Sequence, residues 1–300
     1  MTNLIQIKQI FEKYNKFPKK SLGQNFLINP EIPKKTAEIN CACKNSGVIN
    51  ASVVEIGPGF GALTFELCRL YKKVVAVEID KTFEPVLNEI FKETDNLKFI
   101  FDDILKIDLR DLIEREFAGF EKIYICANLP YYITTPVILK LIKSGVKFDG
   151  ITVMIQKEAA DKLCSRAGEK NYNATAAIVS YYGAAKKIFN VPKSSFYPQP
   201  KVLSTVVNIT PHEKPVANPK NEDMMYKVID AAFEQRRKTL VNALASGLGL
   251  EKEKIIEIIK TVGTRRAVSE NQTAKINAYE NIRGEELDIK AFSDISDLIL

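Results

Sequence analysis

The stretch Ser52-Val53-Val54-Glu55-Ile56-Gly57-Pro58-Gly59-Phe60-Gly61 decides the fold. Its first half is a short apolar run of the kind that forms a buried strand, and its second half is a glycine turn. Glycine lets the backbone turn sharply and approach a ligand closely, and the start of the helix expected after it favours polar or negative groups. The spacing is GxGxG, not the GxGxxG of a dinucleotide fold. Outward from this turn, strand and helix patterns alternate. Strands are expected over 52–56, 74–79, 97–101, 122–127 and 151–155, with helices near 62–70, 82–93, 108–116, 135–143 and 157–166. That rhythm predicts an α/β, Rossmann-like, doubly wound sheet with helices on both faces.

The rhythm changes after residue 173. A helix over Ala174–Tyr181 precedes two strand segments, Ala185–Val191 and Val202–Ile209, separated by the loop PKSSFYPQPK. Strands without a long crossover between them pair antiparallel, so a hairpin is expected to close one edge of the sheet. The Pro- and charge-rich stretch TPHEKPVANPK then reads as a linker. Beyond it Met225, Val228, Ile229, Ala232 and Phe233 recur at helical spacing, and every later segment is helical. The expected division is residues 1–210 for a catalytic α/β domain with a basic N-terminal loop, and 211–300 for a small all-α domain. Upstream, residues 4–14 and about Pro30 to Cys43 read as helices flanking the loop KFPKKSLGQNFL.

Three hundred residues allow roughly two domains, and 46% hydrophobic with 27% charged residues is ordinary for a soluble globular chain. No apolar run approaches the roughly 18 residues of a membrane span, and the amphipathic N-terminus is unlike a signal peptide. A cytoplasmic monomer is expected. Cys41, Cys43, Cys68, Cys126 and Cys164 are odd in number and scattered, which suits reduced core thiols; Cys41 and Cys43 lack a second pair to complete a zinc site, so no metal is expected. Cys126 lies in an apolar strand and is expected to pack away from any site. The single histidine, His212, sits in a Pro-flanked turn, which argues against a histidine acid or base. A net charge of +6 permits a polyanionic partner without demanding one.

Two further features belong to the cofactor question. Glu78 ends the second strand, in Val74-Val75-Ala76-Val77-Glu78, where a carboxylate can accept from two ribose hydroxyls. Asp103, after the third strand, is positioned to accept from an adenine amine or to cap a helix. An adenosine is therefore the expected occupant, carried by NAD or by S-adenosyl-L-methionine. After the fourth strand comes Cys126-Ala127-Asn128-Leu129-Pro130-Tyr131. Proline stiffens this turn, Asn128 brings an uncharged acceptor and Tyr131 a flat face, a cradle for a flat amine. No pattern suits hydride transfer, and both points favour the methyl donor.

GxGxG, the acidic residue ending the second strand, and Asn128-Leu129-Pro130-Tyr131 together resemble the class I S-adenosylmethionine-dependent methyltransferases, and NLPY resembles their N6-adenine branch. Leu22-Gly23-Gln24-Asn25-Phe26-Leu27, Phe196-Tyr197-Pro198-Gln199-Pro200-Lys201-Val202 and Phe233-Glu234-Gln235-Arg236-Arg237-Lys238-Thr239-Leu240 narrow the resemblance to the small-subunit ribosomal RNA adenine N6,N6-dimethyltransferases, the KsgA/RsmA family. The resemblance spans residue 20 to about 245 and loosens around Arg266-Ala267-Val268-Ser269-Glu270.

This resemblance implies dimethylation of two adjacent adenosines in a hairpin loop near the 3′ end of 16S ribosomal RNA, alone or in a pre-30S particle, during ribosome biogenesis. It implies cofactor contacts from Asn25, Leu27, Gly57, Gly59, Glu78, Asp103 and Asn128, with the N-terminal loop folded over the site. In the expected mechanism, the Asn128 side-chain oxygen and the Leu129 carbonyl accept from the adenine amine while Tyr131 and Phe196 sandwich the base. RNA phosphates would be met by Arg236, Arg237 and Lys238, jointly with Lys193, Lys201 and the N-terminal lysines. By pattern alone the 236–238 charges are a solvated helix start.

Overall fold

The computed structural model describes residues 4–15, 17–19, 22–40, 49–235, 237–269 and 282–300. Arg236, Lys16, Lys20, Cys41 and Cys43 fall outside these residues. In chain order the elements are α1 (Leu4–Lys13), β1 (Phe26–Leu27), α2 (Glu31–Ala37), β2 (Ile49–Ile56), α3 (Ala62–Leu70), β3 (Tyr71–Val77), α4 (Glu84–Ile90), β4 (Leu97–Ile100), α5 (Leu109–Phe117), β5 (Ile123–Asn128), α6 (Thr134–Lys143), β6 (Gly150–Gln156), α7 (Lys157–Leu163), α8 (Ala174–Tyr182), β7 (Gly183–Val191), β8 (Phe196–Tyr197), β9 (Ser204–Pro211), α9 (Glu222–Glu234), α10 (Leu240–Leu248), α11 (Lys252–Ser269) and α12 (Ile289–Ile299).

The main sheet has the order β4-β3-β2-β5-β6-β9-β7. β4, β3, β2, β5 and β6 run parallel, in register through pairs such as Val54 with Val75 and with Ile125. Their inward residues are continuous apolar runs, as a sheet covered on both faces requires; Val53, Val54, Val74, Val75 and Ile125 are fully buried. β9 runs antiparallel to β6, with Val153 opposite Val207, and β7 lies outside it, so the expected antiparallel element sits at this edge. The strand order reverses between β2 and β5, which opens a crevice beyond the carboxyl ends of the strands, where open α/β sheets bind ligands.

The N-terminal segment caps that end. The i,i+4 pair Ile7 and Phe11 gives α1 an apolar face, which packs into an aromatic cluster with Phe26, Phe60, Phe83 and Phe91. Phe26 and Phe60 rings lie 4.5 Å apart and Phe11 meets Phe60 edge-on at 5.1 Å. Lys13 and Tyr14 at its end both reach the Glu89 carboxylate of α4. β1 pairs antiparallel with β8, setting Leu27 opposite Phe196 and tying the N-terminal loop to the loop before β9.

The chain forms two compact units, Met1–Ala160 with Ala185–Pro211, and Asp161–Ala184 with His212–Leu300. The second therefore also takes Asp161–Ala184, which a single boundary at 210 leaves in the first. The reason is visible in its packing: Tyr172, just before α8, sets its ring 5.5 Å from Phe233 of α9, which in turn meets Phe292 of α12 at 6.0 Å. Side-chain oxygens of Asn173, Asn221 and Asp288 cap α8, α9 and α12. Contrary to the helix start read from pattern, Arg237 and Lys238 lie exposed in the turn between α9 and α10. No helix among the described residues is long and apolar enough to cross a membrane.

Candidate active site

The carboxyl ends of β2, β3 and β5 surround a cavity of about 240 Å³. Asn25, Leu27, Gly57, Gly59, Glu78, Asp103, Asn128, Leu129, Tyr131 and Phe196 all line it, so segments more than 170 residues apart in sequence are brought together. Lys201, Arg237 and Lys238 do not line it.

Its floor is the glycine turn. Gly57, Gly59 and Gly61 all have positive φ, at 73°, 58° and 80°, a backbone region open to glycine and costly for other residues. A Cβ on Gly59 would press within 3.3 Å of the Phe26 ring. At Gly57 the nearest atom to such a Cβ would be the Asn128 carbonyl oxygen, 3.9 Å away, so glycine here keeps the cavity floor clear.

Glu78 is 5% exposed. Its Oε1 accepts from the Asp80 amide at 2.9 Å and its Oε2 from the Gly59 amide at 3.2 Å, so both oxygens are aimed. Burial pushes its carboxyl above the ordinary glutamate value, against the pull of these amides. Asp103 is half-buried and lines the cavity; its Oδ1 accepts from the Leu105 amide at 3.0 Å within a turn, so it caps no helix, and the N-cap of α5 is Asp108.

Glu55 is the site residue that the sequence reading missed. It is 1% exposed, lines the cavity from β2, and Thr64 of α3 faces it outside hydrogen-bond geometry, so Glu55 Oε2 and Thr64 Oγ1 each lack a partner. Burial pushes its carboxyl up to about 8, with the nearby Glu78 charge adding to the rise. A glutamate within Val53-Val54-Glu55-Ile56 was the available signal, because a charge in a buried strand is expensive and marks a functional position.

The cradle follows from the neighbouring strand, β5. β5 ends at Asn128, half-buried, and Leu129 is pinned by its amide donating to the Met154 carbonyl at 3.1 Å. The Pro130 carbonyl takes the Ile133 amide and the Thr134 hydroxyl, closing the turn into α6. Tyr131 is fixed by its hydroxyl, 3.1 Å from Ser204 Oγ. Phe196 is 2% exposed and packs with Leu27, Met154 and Val206 while also lining the cavity, so the core-packing role read from sequence is realised. Cys126 is buried among apolar side chains of β2 and α3 and does not line the cavity; burial, then the proximity of Glu55, pushes its thiol well above the ordinary value, which excludes a thiolate nucleophile.

Two N-terminal lysines assigned to RNA are engaged within the protein. Lys13 bonds Glu89, and Lys19 Nζ sits 2.8 Å from the buried Asp80 carboxylate. Lys193 Nζ bonds the Lys201 carbonyl, bracing the loop that carries Phe196.

The lining carries four carboxyl groups, Glu55, Glu78, Asp102 and Asp103, and no lysine or arginine among the described residues. With Glu55 neutral at pH 7, the other three, Glu78, Asp102 and Asp103, make a wall that repels a pyrophosphate and attracts a cation. A clear glycine floor, an unpartnered buried Glu55 oxygen, an aimed Glu78 and this charge balance fit a cationic adenosine compound rather than a dinucleotide.

The sequence model of the family described as ribosomal RNA adenine dimethylase matches residues 15–283. The ribosomal RNA small subunit methyltransferase A of Bacillus pumilus is 40% identical over 297 residues, covering 98% of this chain and 96% of that protein. Its counterpart from Clostridioides difficile is 38% identical, covering 97% and 94%. Among solved structures, a dimethyladenosine transferase from Plasmodium falciparum has a TM-score of 0.64 at 26% identity, covering 90% of this chain and 95% of that one. The 23S rRNA methyltransferase ErmE has 0.61 at 18% identity, covering 91% and 98%, a likeness of fold.

Proposed function

Because the chain belongs to the ribosomal RNA adenine dimethylase family, we propose that it methylates N6 of two adjacent adenosines, twice each, in a hairpin loop near the 3′ end of 16S ribosomal RNA. The observation that carries this reading is that the Asn128–Tyr131 turn opens onto the same cavity as Glu78 and the glycine floor. The methyl donor is S-adenosyl-L-methionine, which supplies an activated methyl on a sulfonium. Glu78 holds the ribose hydroxyls, Asp103 accepts from the cofactor's adenine amine through Oδ2, and Asn25 and Leu27 close over the site. The acidic wall supports a donor bearing positive charge and disfavours NAD, whose pyrophosphate would face Glu78, Asp102 and Asp103.

The residues of the turn act on the substrate amine. Its lone pair is shared with the purine ring, which makes it a poor nucleophile. Asn128 Oδ1 and the Leu129 carbonyl accept its two N–H groups and draw it out of the ring plane, turning the lone pair toward the methyl. The amine becomes acidic only as the carbon–nitrogen bond forms, and its proton then passes to water, so no strong base is needed. Positioning supplies most of the rate: reacting atoms held in line at about 3–3.5 Å gain roughly 7–11 kcal/mol over free encounter. Tyr131 and Phe196 grip the ring, each stack contributing about 1–3 kcal/mol. A paired base cannot enter such a slot, so the target is unpaired or flipped.

Arg237 and Lys238 in the helical unit, with Arg236 and Lys201, meet RNA phosphates. The protein acts as a cytoplasmic monomer on small-subunit RNA or a pre-30S particle during ribosome biogenesis. The test is a radiolabelled methyl assay on purified small subunits, large subunits and free RNA, with the nucleoside identified. N6,N6-dimethyladenosine in the small subunit supports the reading. Label confined to the large subunit, or another nucleoside, overturns it.

A further inference from the structure

Asp80 lies two residues beyond Glu78, just past β3, and is 6% exposed, yet neither it nor Lys19 lines the cavity. Its carboxylate gathers the N-terminal loop. Lys19 Nζ approaches both oxygens, at 3.0 Å and 2.8 Å. Gln24 Nε2 donates to Oδ2 at 3.3 Å, while Gln24 Oε1 accepts from the Lys19 amide at 2.9 Å, so the loop is closed on itself by the side chain that also anchors it. The Thr82 amide and hydroxyl complete the set on Oδ1, at 3.2 Å and 2.7 Å. The Asp80 amide, meanwhile, is the donor that aims Glu78 Oε1. One residue thus orients the carboxylate on the cavity wall and holds the strap, Gly23 to Leu27, that borders the cavity.

We propose that Asp80 is a positioning residue that latches the N-terminal loop closed over the cofactor, with Lys19 as the cation of the latch. The inference rests on the reading that the cavity holds S-adenosyl-L-methionine. The contact joins residues 61 apart in sequence through an ion pair whose carboxylate is buried and whose lysine is half-exposed. Such a pair is strong enough to bias a short loop and weak enough to let go, because its exposed partner is screened by salt. Lys19 is thereby assigned to the protein's own loop and not to RNA.

The experiment measures S-adenosylhomocysteine binding by calorimetry, and kcat at saturating cofactor, for wild type, Lys19→Ala, Lys19→Arg, Asp80→Asn and the Lys19→Ala/Asp80→Asn double variant. Lys19→Ala is expected to bind about tenfold more weakly, as loss of a charged hydrogen bond implies, with kcat reduced less than twofold and the thermal midpoint held. Lys19→Arg restores the affinity, and the double variant is no weaker than Asp80→Asn. Wild-type affinity in Lys19→Ala, independent additive losses, or a midpoint that falls in step with affinity overturns the latch. Absence of binding by the wild type instead overturns the cofactor reading on which it rests, a distinct result.

Discussion

Replacing Glu55 by glutamine should stabilise the protein, and by an amount that grows with pH. In the native state burial holds the Glu55 carboxyl at about 8, against 4.5 ordinarily. Below pH 4.5 both native and unfolded chains carry the proton, and the side chain costs nothing extra. Between 4.5 and 8 the unfolded chain releases the proton while the native one keeps it, so native stability falls as pH rises through that window. The slope is about 1.36 kcal/mol per pH unit. From 4.5 to pH 7 this accumulates to on the order of 3 kcal/mol. Glutamine has nearly the same shape and never titrates, and Glu78, also raised by burial, contributes to both proteins and cancels in the difference. Urea unfolding of both proteins without cofactor, at pH 5, 6, 7 and 8, is the assay. The stability gap should be below about 1 kcal/mol at pH 5 and widen by about 1.36 kcal/mol per unit toward pH 8. Parallel pH profiles would refute the neutral, buried Glu55 on which the reasoning stands.

Asn128→Ala should abolish methyl transfer while leaving the urea midpoint within error, since Asn128 is only half-buried at the end of β5; the paired measurements are nucleoside analysis and unfolding. Tyr131→Phe removes only the hydroxyl bonded to Ser204 and should cost little, whereas Tyr131→Ala removes a stack of about 1–3 kcal/mol, read as a larger fall in kcat/KM for RNA. Arg237→Glu with Lys238→Glu should weaken RNA binding without changing cofactor affinity, and flatten the salt dependence by about 0.7–0.9 per lost phosphate contact; equal losses in both affinities would count against a phosphate role. Gly61→Ala should destabilise the α/β unit by roughly 2–5 kcal/mol. A Cβ there would lie 2.3 Å from Phe91 Cε2, and overpacking adds to the cost of an unfavourable φ of 80°; chemical unfolding reads the loss directly.

The sheet was legible because its parallel strands must be apolar on both faces, and runs such as Val74–Val77 announce that without help from the rest of the chain. β1 and β8 were not legible as strands. At two residues each they show no period, and they exist only because Leu27 and Phe196 find one another across the fold. The Arg237–Lys238 turn was misread for a related reason: charged residues are good helix formers by propensity, and only the packing of α9 and α10 on the helical core decides that the helix breaks there. Of the site, Gly57, Glu78, Asp103 and Asn128 were found from their places at the ends of strands, where the fold itself puts ligands. Asp80 and Lys19 were invisible together because nothing in local sequence links residues 61 apart.

The charge pattern of the cavity bears on why residue 128 is an asparagine. The carboxyl groups of Glu78, Asp102 and Asp103 already share this wall beside the neutral Glu55. An aspartate at 128 would join a crowd of like charge in a half-buried position, and both effects would raise its pKa. Once protonated it would offer a donor to an amine that needs acceptors. An amide oxygen accepts at every pH and adds no charge for the wall to resist. The same reasoning accounts for the absence of histidine from the cavity lining; the sequence's one histidine, His212, has its Nε2 3.0 Å from the Ser180 carbonyl. A reaction whose proton becomes acidic only after bond formation gains little from a base poised near neutrality. It gains most from fixed, neutral acceptors, which a rigid strand end supplies.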